Sequence, residues 1–92
     1  MRINVNFLGT MERFTGQPGL ELALPANSTL EEAILQIGKT FGGRFPPEIW
    51  DAKLGVFTHR VKLFIDSTEI EDLNQRLQDG SELLILIPVA GG

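Results

Sequence analysis

The last fourteen residues, "DGSELLILIPVAGG" (79–92), decide how this chain folds. Asp79-Gly80 is a turn signal, and the apolar run that follows is too short for a membrane span and reads as a strand over 82–88. A strand sends alternate side chains to opposite faces. Glu82, Leu84, Leu86 and Pro88 therefore share one face, and Leu83, Ile85 and Ile87 the other. The charge on Glu82 turns the even face outward. Pro88 cannot donate to a ladder, so it marks where the strand leaves its sheet.

The same parity organises the beginning of the chain. In the strand over residues 2–8, Ile3, Val5 and Phe7 point one way, and Arg2, Asn4 and Asn6 the other. Gly9, Gly16, Pro18 and Gly19 make a turn region, after which Leu20, Leu22 and Leu24 resume the alternation. Residues 1–25 thus read as a hairpin with a loose connection. "ANSTLEEAILQIGKTF" (26–41) is a helix. Leu30, Ala33, Ile34, Ile37 and Phe41 form one stripe, and either Ser28 with Glu31 or Thr29 with Glu32 has capping-box spacing. Gly42 and Gly43 read as its C-cap.

Pro46-Pro47 interrupts regular structure, and "EIWDAKLGVF" (48–57) reads either as a short helix or as an irregular loop. "VKLFID" (61–66) is a strand with Lys62, Phe64 and Asp66 outward. Ser67-Thr68 is a turn, and "EIEDLNQRL" (69–77) holds a short strand and one helical turn. Two antiparallel strands, a helix crossing behind them and a last strand returning beside the first give an α+β, β-grasp arrangement. In it a mixed sheet of four to five strands packs on one main helix. A right-handed crossover makes the last strand parallel to the first. The expected organisation is a single domain over 1–88 and a flexible C-terminal tail over 89–92.

Composition narrows the function. The 92 residues carry a net charge of −4 with their Lys and Arg scattered, which argues against a nucleic-acid binder. No cysteine is present, which removes thiolate metal sites and a cysteine nucleophile. The amino-terminal alternation is not a secretory h-region, so the chain reads as a soluble, cytoplasmic domain with no membrane partner.

The strand order, the "DGSELLILIPVAGG" ending and the closing Gly-Gly resemble the MoaD/ThiS ubiquitin-like sulfur carriers, nearest to the small subunit of molybdopterin synthase. Residues 79–92 carry the specificity: Asp79, Gly80, Glu82, the run Leu83 to Ile87, then Pro88, Val89, Ala90, Gly91 and Gly92. Ile87 stands where the molybdopterin subunits often have a second proline. Ile85 and Leu86 stand where aromatics are common. The segment 42–60 is longer than in compact members. The resemblance therefore leaves molybdopterin, tungstopterin and thiamine pathways open, and also a protein modifier conjugated through Gly92.

The resemblance implies a chemistry for the terminus. A partner of the E1-like type (MoeB/ThiF) uses ATP to adenylate the Gly92 carboxylate, and a persulfide or equivalent donor displaces AMP to leave a thiocarboxylate. That sulfur then enters a pterin precursor in a large synthase subunit of the MoaE type. The chain holds no cofactor permanently. With no G-x-x-x-x-G-K-[ST] loop it is a carrier and subunit, not an enzyme on its own. Gly91 and Gly92 lack Cβ atoms, so the backbone can thread a narrow channel.

Partner contacts follow from parity. Phe64, Leu84 and Leu86, with Leu8 beside them, form an outward apolar patch next to Pro88, Val89 and Ala90. Such a patch marks a docking site unless the segment 44–60 folds over it. Arg13 sits where the family places a basic residue for partner contact. Trp50 is either an interface anchor or a loop-packing residue. His59 reads as a solvated loop residue. Asp51, Asp66, Glu69, Glu71 and Asp72 form no metal or acid–base constellation.

Overall fold

The computed structural model describes residues 1–88. Its elements follow from a few local choices. Of the two possible capping boxes, the chain uses Thr29 and Glu32. The Thr29 hydroxyl accepts the Glu32 amide, and Glu32 Oε1 accepts the Thr29 amide at 3.2 Å. Ser28 instead donates to the Pro25 carbonyl at 2.7 Å and is buried. From that cap helix α2 runs over Leu30–Phe41, and its entire predicted stripe is buried.

The stripe lies on a five-stranded sheet in the order β2-β1-β7-β5-β6. The strands are β1 (Arg2–Phe7), β2 (Gly19–Ala23), β5 (Lys62–Ile65), β6 (Thr68–Glu69) and β7 (Glu82–Leu86), with a separate hairpin of β3 (Trp50–Asp51) and β4 (Val56–Phe57). Strand β1 pairs antiparallel with β2 and parallel with β7, as the crossover rule requires. The sheet is mixed and β7 lies at its centre, which is the ubiquitin-like β-grasp. Ile3, Val5, Phe7, Leu83 and Ile85 are at most 1% exposed against α2. Each such side chain contributes about 1.5–3 kcal/mol on burial.

Three local expectations are corrected. The connection between β1 and β2 is not merely loose. It contains helix α1 (Thr10–Thr15), which buries Met11 and Thr15 and ends on Gly16 in the left-handed region at φ 77°. Six residues are too few for an apolar period to stand out among glycines. The 48–57 stretch is neither helix nor irregular loop but the β3–β4 hairpin. Gly42 is the C-cap of α2, as expected, in ordinary helical geometry (φ −53°), and leads into a 3₁₀ turn over Gly42–Arg44. Residues after β6 form turns, where a helical turn was expected, and are tied to α2 through amides of Leu30 and Glu31 donating to Gln75 and Leu73 carbonyls.

The turn joining β5 and β6 is shifted by one residue from the expected Ser67-Thr68. Ile65 pairs with Thr68, leaving Asp66 and Ser67 as a two-residue loop with φ of 48° and 74°. Two successive positive φ angles make a type I′ turn, the form that matches strand twist. The Asp66 carboxylate accepts the Glu82 amide at 2.9 Å, fastening this turn to the start of β7.

Candidate functional site

Strand β7 is flanked on both sides and reads "ELLIL", apolar on both faces. A central strand with that pattern normally has both faces covered. Here the inner face is covered, with Leu83 and Ile85 wholly buried. Leu84 and Leu86, on the outer face, are half-buried.

The register assembles the predicted outer patch. Leu84 stands between Phe64 on one side and Asn6 on the other, while Lys62 stands opposite Leu86. Leu8, 45% exposed, follows β1 and donates its amide to the Ile85 carbonyl at 3.1 Å, which places it beside Leu86. Phe64, Leu84 and Leu86 neither belong to the hydrophobic core nor pack against it. Pro88 is exposed just past the end of β7. Polar residues frame the patch: Asn4, Glu82, and a Lys62–Glu69 ion pair at 3.7 Å.

The alternative, that residues 44–60 cover this face, is overturned. That segment packs on the helix side of the sheet. Trp50 lies across Gly38 of α2 and Gly42, its C-cap, so close that a Cβ on Gly38 would meet its Cζ2 at 2.5 Å. Its ring also contacts Phe57 and Phe45 at centroid separations of 4.9 and 5.5 Å. Phe45 in turn meets Phe14 of α1 edge-on at 6.5 Å. Trp50 is therefore a packing residue, 7% exposed, not an interface anchor. The sequence signal for its seat is the i, i+4 pair Gly38 and Gly42, the second of which also caps α2.

The remaining residues separate cleanly. Arg13 is exposed on α1, at the end of the sheet where β7 finishes. His59 is exposed on the rim of a groove of about 360 Å³ floored by Ile34, Val61 and Leu63. Among the described residues no group of three or more His, Cys, Asp or Glu is placed to hold a metal. No helix is long and apolar enough to cross a membrane among them. Val89, Ala90, Gly91 and Gly92, the expected reactive arm, lie outside the described residues. Arg60, which no sequence motif marks, is exposed in the turn before β5, across from the end of β7.

The geometry is thus a β-grasp whose central strand is open on one face and finishes beside that face. Comparison with known proteins agrees with it. SAMP1 from Haloferax volcanii superposes with a TM-score of 0.84 over 100% of both chains at 13% identity. A putative molybdopterin converting factor, subunit 1, from Pyrococcus furiosus gives 0.75 at 18% identity, covering 97% of this chain and 99% of that one. A protein–protein complex of subunits 1 and 2 of the molybdopterin-converting factor from Helicobacter pylori gives 0.59 at 22% identity over 100% of both chains. At these identities the likeness establishes the shared fold. No curated protein sequence matches the chain. The model of the ThiS family does match, from residue 5 to residue 92, through the open central strand and on to the final glycine. The chain belongs to the ThiS family, the MoaD/ThiS type of ubiquitin-like sulfur carrier.

Proposed function

We propose that this ThiS-family chain carries sulfur on the carboxylate of Gly92 and serves as the small subunit of a molybdopterin synthase. The observation that carries this reading is the pairing of a family match through Gly92 with an apolar strand face left open beside the strand's end. Phe64, Leu84 and Leu86 dock the partner, Pro88 releases the strand, and Val89 to Gly92 reach forward. Four extended residues span at most about 13–14 Å, enough to enter a cleft on a second protein. There the carboxylate attacks the α-phosphorus of ATP and pyrophosphate leaves. The outer sulfur of a donor persulfide then displaces AMP to form an acyl disulfide. A donor thiol attacks that S–S bond, releasing the thiocarboxylate and leaving a disulfide on the donor. The partner supplies the rate by holding the reacting atoms in place and stabilising developing charge. The domain itself is substrate and subunit, acting in the cytoplasm, with a MoeB/ThiF-type activating enzyme and a MoaE-type large subunit as successive partners. Its likeness to the subunit-1 folds of Pyrococcus and Helicobacter supports the molybdopterin branch.

A second reading has its own support. The likeness to SAMP1, a small archaeal modifier protein, favours conjugation of Gly92 to protein lysines. Intact mass of the mature protein from its native cell separates the two. A gain of about 16 Da, sulfur for oxygen at Gly92, supports the carrier. Higher-mass conjugates support the modifier. An unchanged mass in cells that contain an activating enzyme refutes both.

A further inference from the structure

The net charge of −4 is not spread evenly over the fold. The register divides the molecule into two ends. At one end β1 and β7 begin and β5 finishes, and there lie Asp66, Asp79 and Glu82. The amino terminus of α2, with Glu31 and Glu32, is on the same side, since Leu77 just before Asp79 donates to the Ser28 carbonyl. Arg2 at this end is already engaged with Glu21 at 3.0 Å.

The opposite end is where β1 and β7 finish and β5 begins. Phe7 meets Phe41 edge-on at 5.6 Å, so α2 also finishes there. Arg13, Lys39, Arg44, Arg60 and Lys62 gather at this end, against Glu12 and Glu48. Arg44 donates to the Thr15 carbonyl and Lys62 pairs with Glu69. The Arg13 and Arg60 side chains are exposed and have no hydrogen-bond or ion-pair partner among the described residues. They stand on either side of the end of β7: Arg13 on α1, which follows β1, and Arg60 just before β5.

We propose that this end is an electropositive docking collar, centred on Arg13 and Arg60, that recognises an acidic protein surface around the cleft receiving residues 89–92. A polyanionic nucleotide inside that cleft is the weaker candidate for the same charges. Residues 89–92 place it up to about 13–14 Å beyond Pro88, farther than the Debye length of about 8–10 Å at physiological salt. The collar acts at the mouth. The acidic far end is repelled by the same surface, so the domain approaches with β7 foremost, and steering of this kind raises association rates steeply at low salt.

The partner assumed is the activating enzyme of the sulfur-carrier reading, and the experiment separates the two ideas. The first arm uses no partner: amide shifts of the ¹⁵N-labelled full chain are followed with poly-L-glutamate, and separately with ATP, at low salt. Shifts confined to residues 10–14 and 58–62 with poly-L-glutamate, lost in an Arg13→Glu/Arg60→Glu variant, are expected. No shifts, shifts around Asp66 and Asp79, persistence in the variant, or a response to ATP alone overturns the collar. In the second arm the double variant raises the KM for adenylation about tenfold with kcat unchanged, as loss of steering at an interface rim does. That gap closes to about twofold near 0.5 M salt, where the Debye length is a few ångströms. Glu31→Gln, at the far end, leaves KM unchanged. An unaltered KM in the double variant refutes the collar. A wild-type chain that is never adenylated refutes the carrier reading, while the poly-L-glutamate arm still judges the collar.

Discussion

Replacing Gly38 by alanine sets two effects of known size against each other. Within an exposed helix the change gains about 0.8–1 kcal/mol, because alanine loses less backbone entropy than glycine. At this position the new Cβ would lie 2.5 Å from Trp50 Cζ2 and 2.7 Å from its Cη2, about an ångström inside ordinary contact. The indole has little room to withdraw, being held by Phe57 at 4.9 Å and Phe45 at 5.5 Å. Overpacking of this kind costs about 1–3 kcal/mol, and the closed aromatic wall puts the cost in the upper half of that range. The net expectation is a loss of about 1–2 kcal/mol, which in a domain this size lowers Tm by roughly 4–16 °C. Thermal unfolding by circular dichroism reads it directly. A double-mutant cycle with Trp50→Leu sharpens the test: once the ring is removed, Gly38→Ala stabilises, and the two changes are strongly non-additive. A Tm that stays level or rises in the single variant, or strict additivity in the cycle, refutes the argument that Gly38 is a seat for Trp50.

Three further outcomes follow from the same structure. Leu86→Asp leaves the fold intact, shifting Tm by only a few degrees since the outer face lies off the core, and weakens binding to the activating enzyme at least about tenfold; global unfolding of the variant refutes an uncovered face. Ser67→Gly relieves a positive φ of 74° in a non-glycine residue and stabilises by about 0.5–1 kcal/mol, read as a higher urea midpoint. Deleting Gly92 abolishes adenylation with Tm unchanged, because the core runs from Ile3 to Ile85; retained activity refutes the carboxylate of Gly92 as the reacting group.

The outer patch shows how far pattern alone reaches. Parity from Glu82 placed Leu83 and Ile85 inward and Leu84 and Leu86 outward, and the structure agrees residue by residue. Parity is legible because a strand's period is fixed by backbone geometry. Whether another segment lies on that face is a question of long-range packing, and here residues 44–60 went to the helix side because Gly38 and Gly42 leave a flat seat that Trp50 fills. Two glycines four residues apart have several meanings, and nothing near them in the chain selects among them. Helix α1 escaped detection for a related reason: its burial rests on two residues, Met11 and Thr15, which is no pattern until the sheet beneath them exists.

The sequence by itself therefore determined the strand faces, the α2 stripe with its capping-box spacing, the return of the last strand beside the first, and the family signature that ends on Gly92. All of these are written in residues close together in the chain, or follow from the handedness of a crossover. Only the tertiary structure decided that the outer face stays open and that Trp50 closes the core. It alone gathered Arg13 and Arg60 around the end of β7. Those facts depend on which surfaces meet across long loops, where the free-energy differences come from shape and charge assembled by the fold.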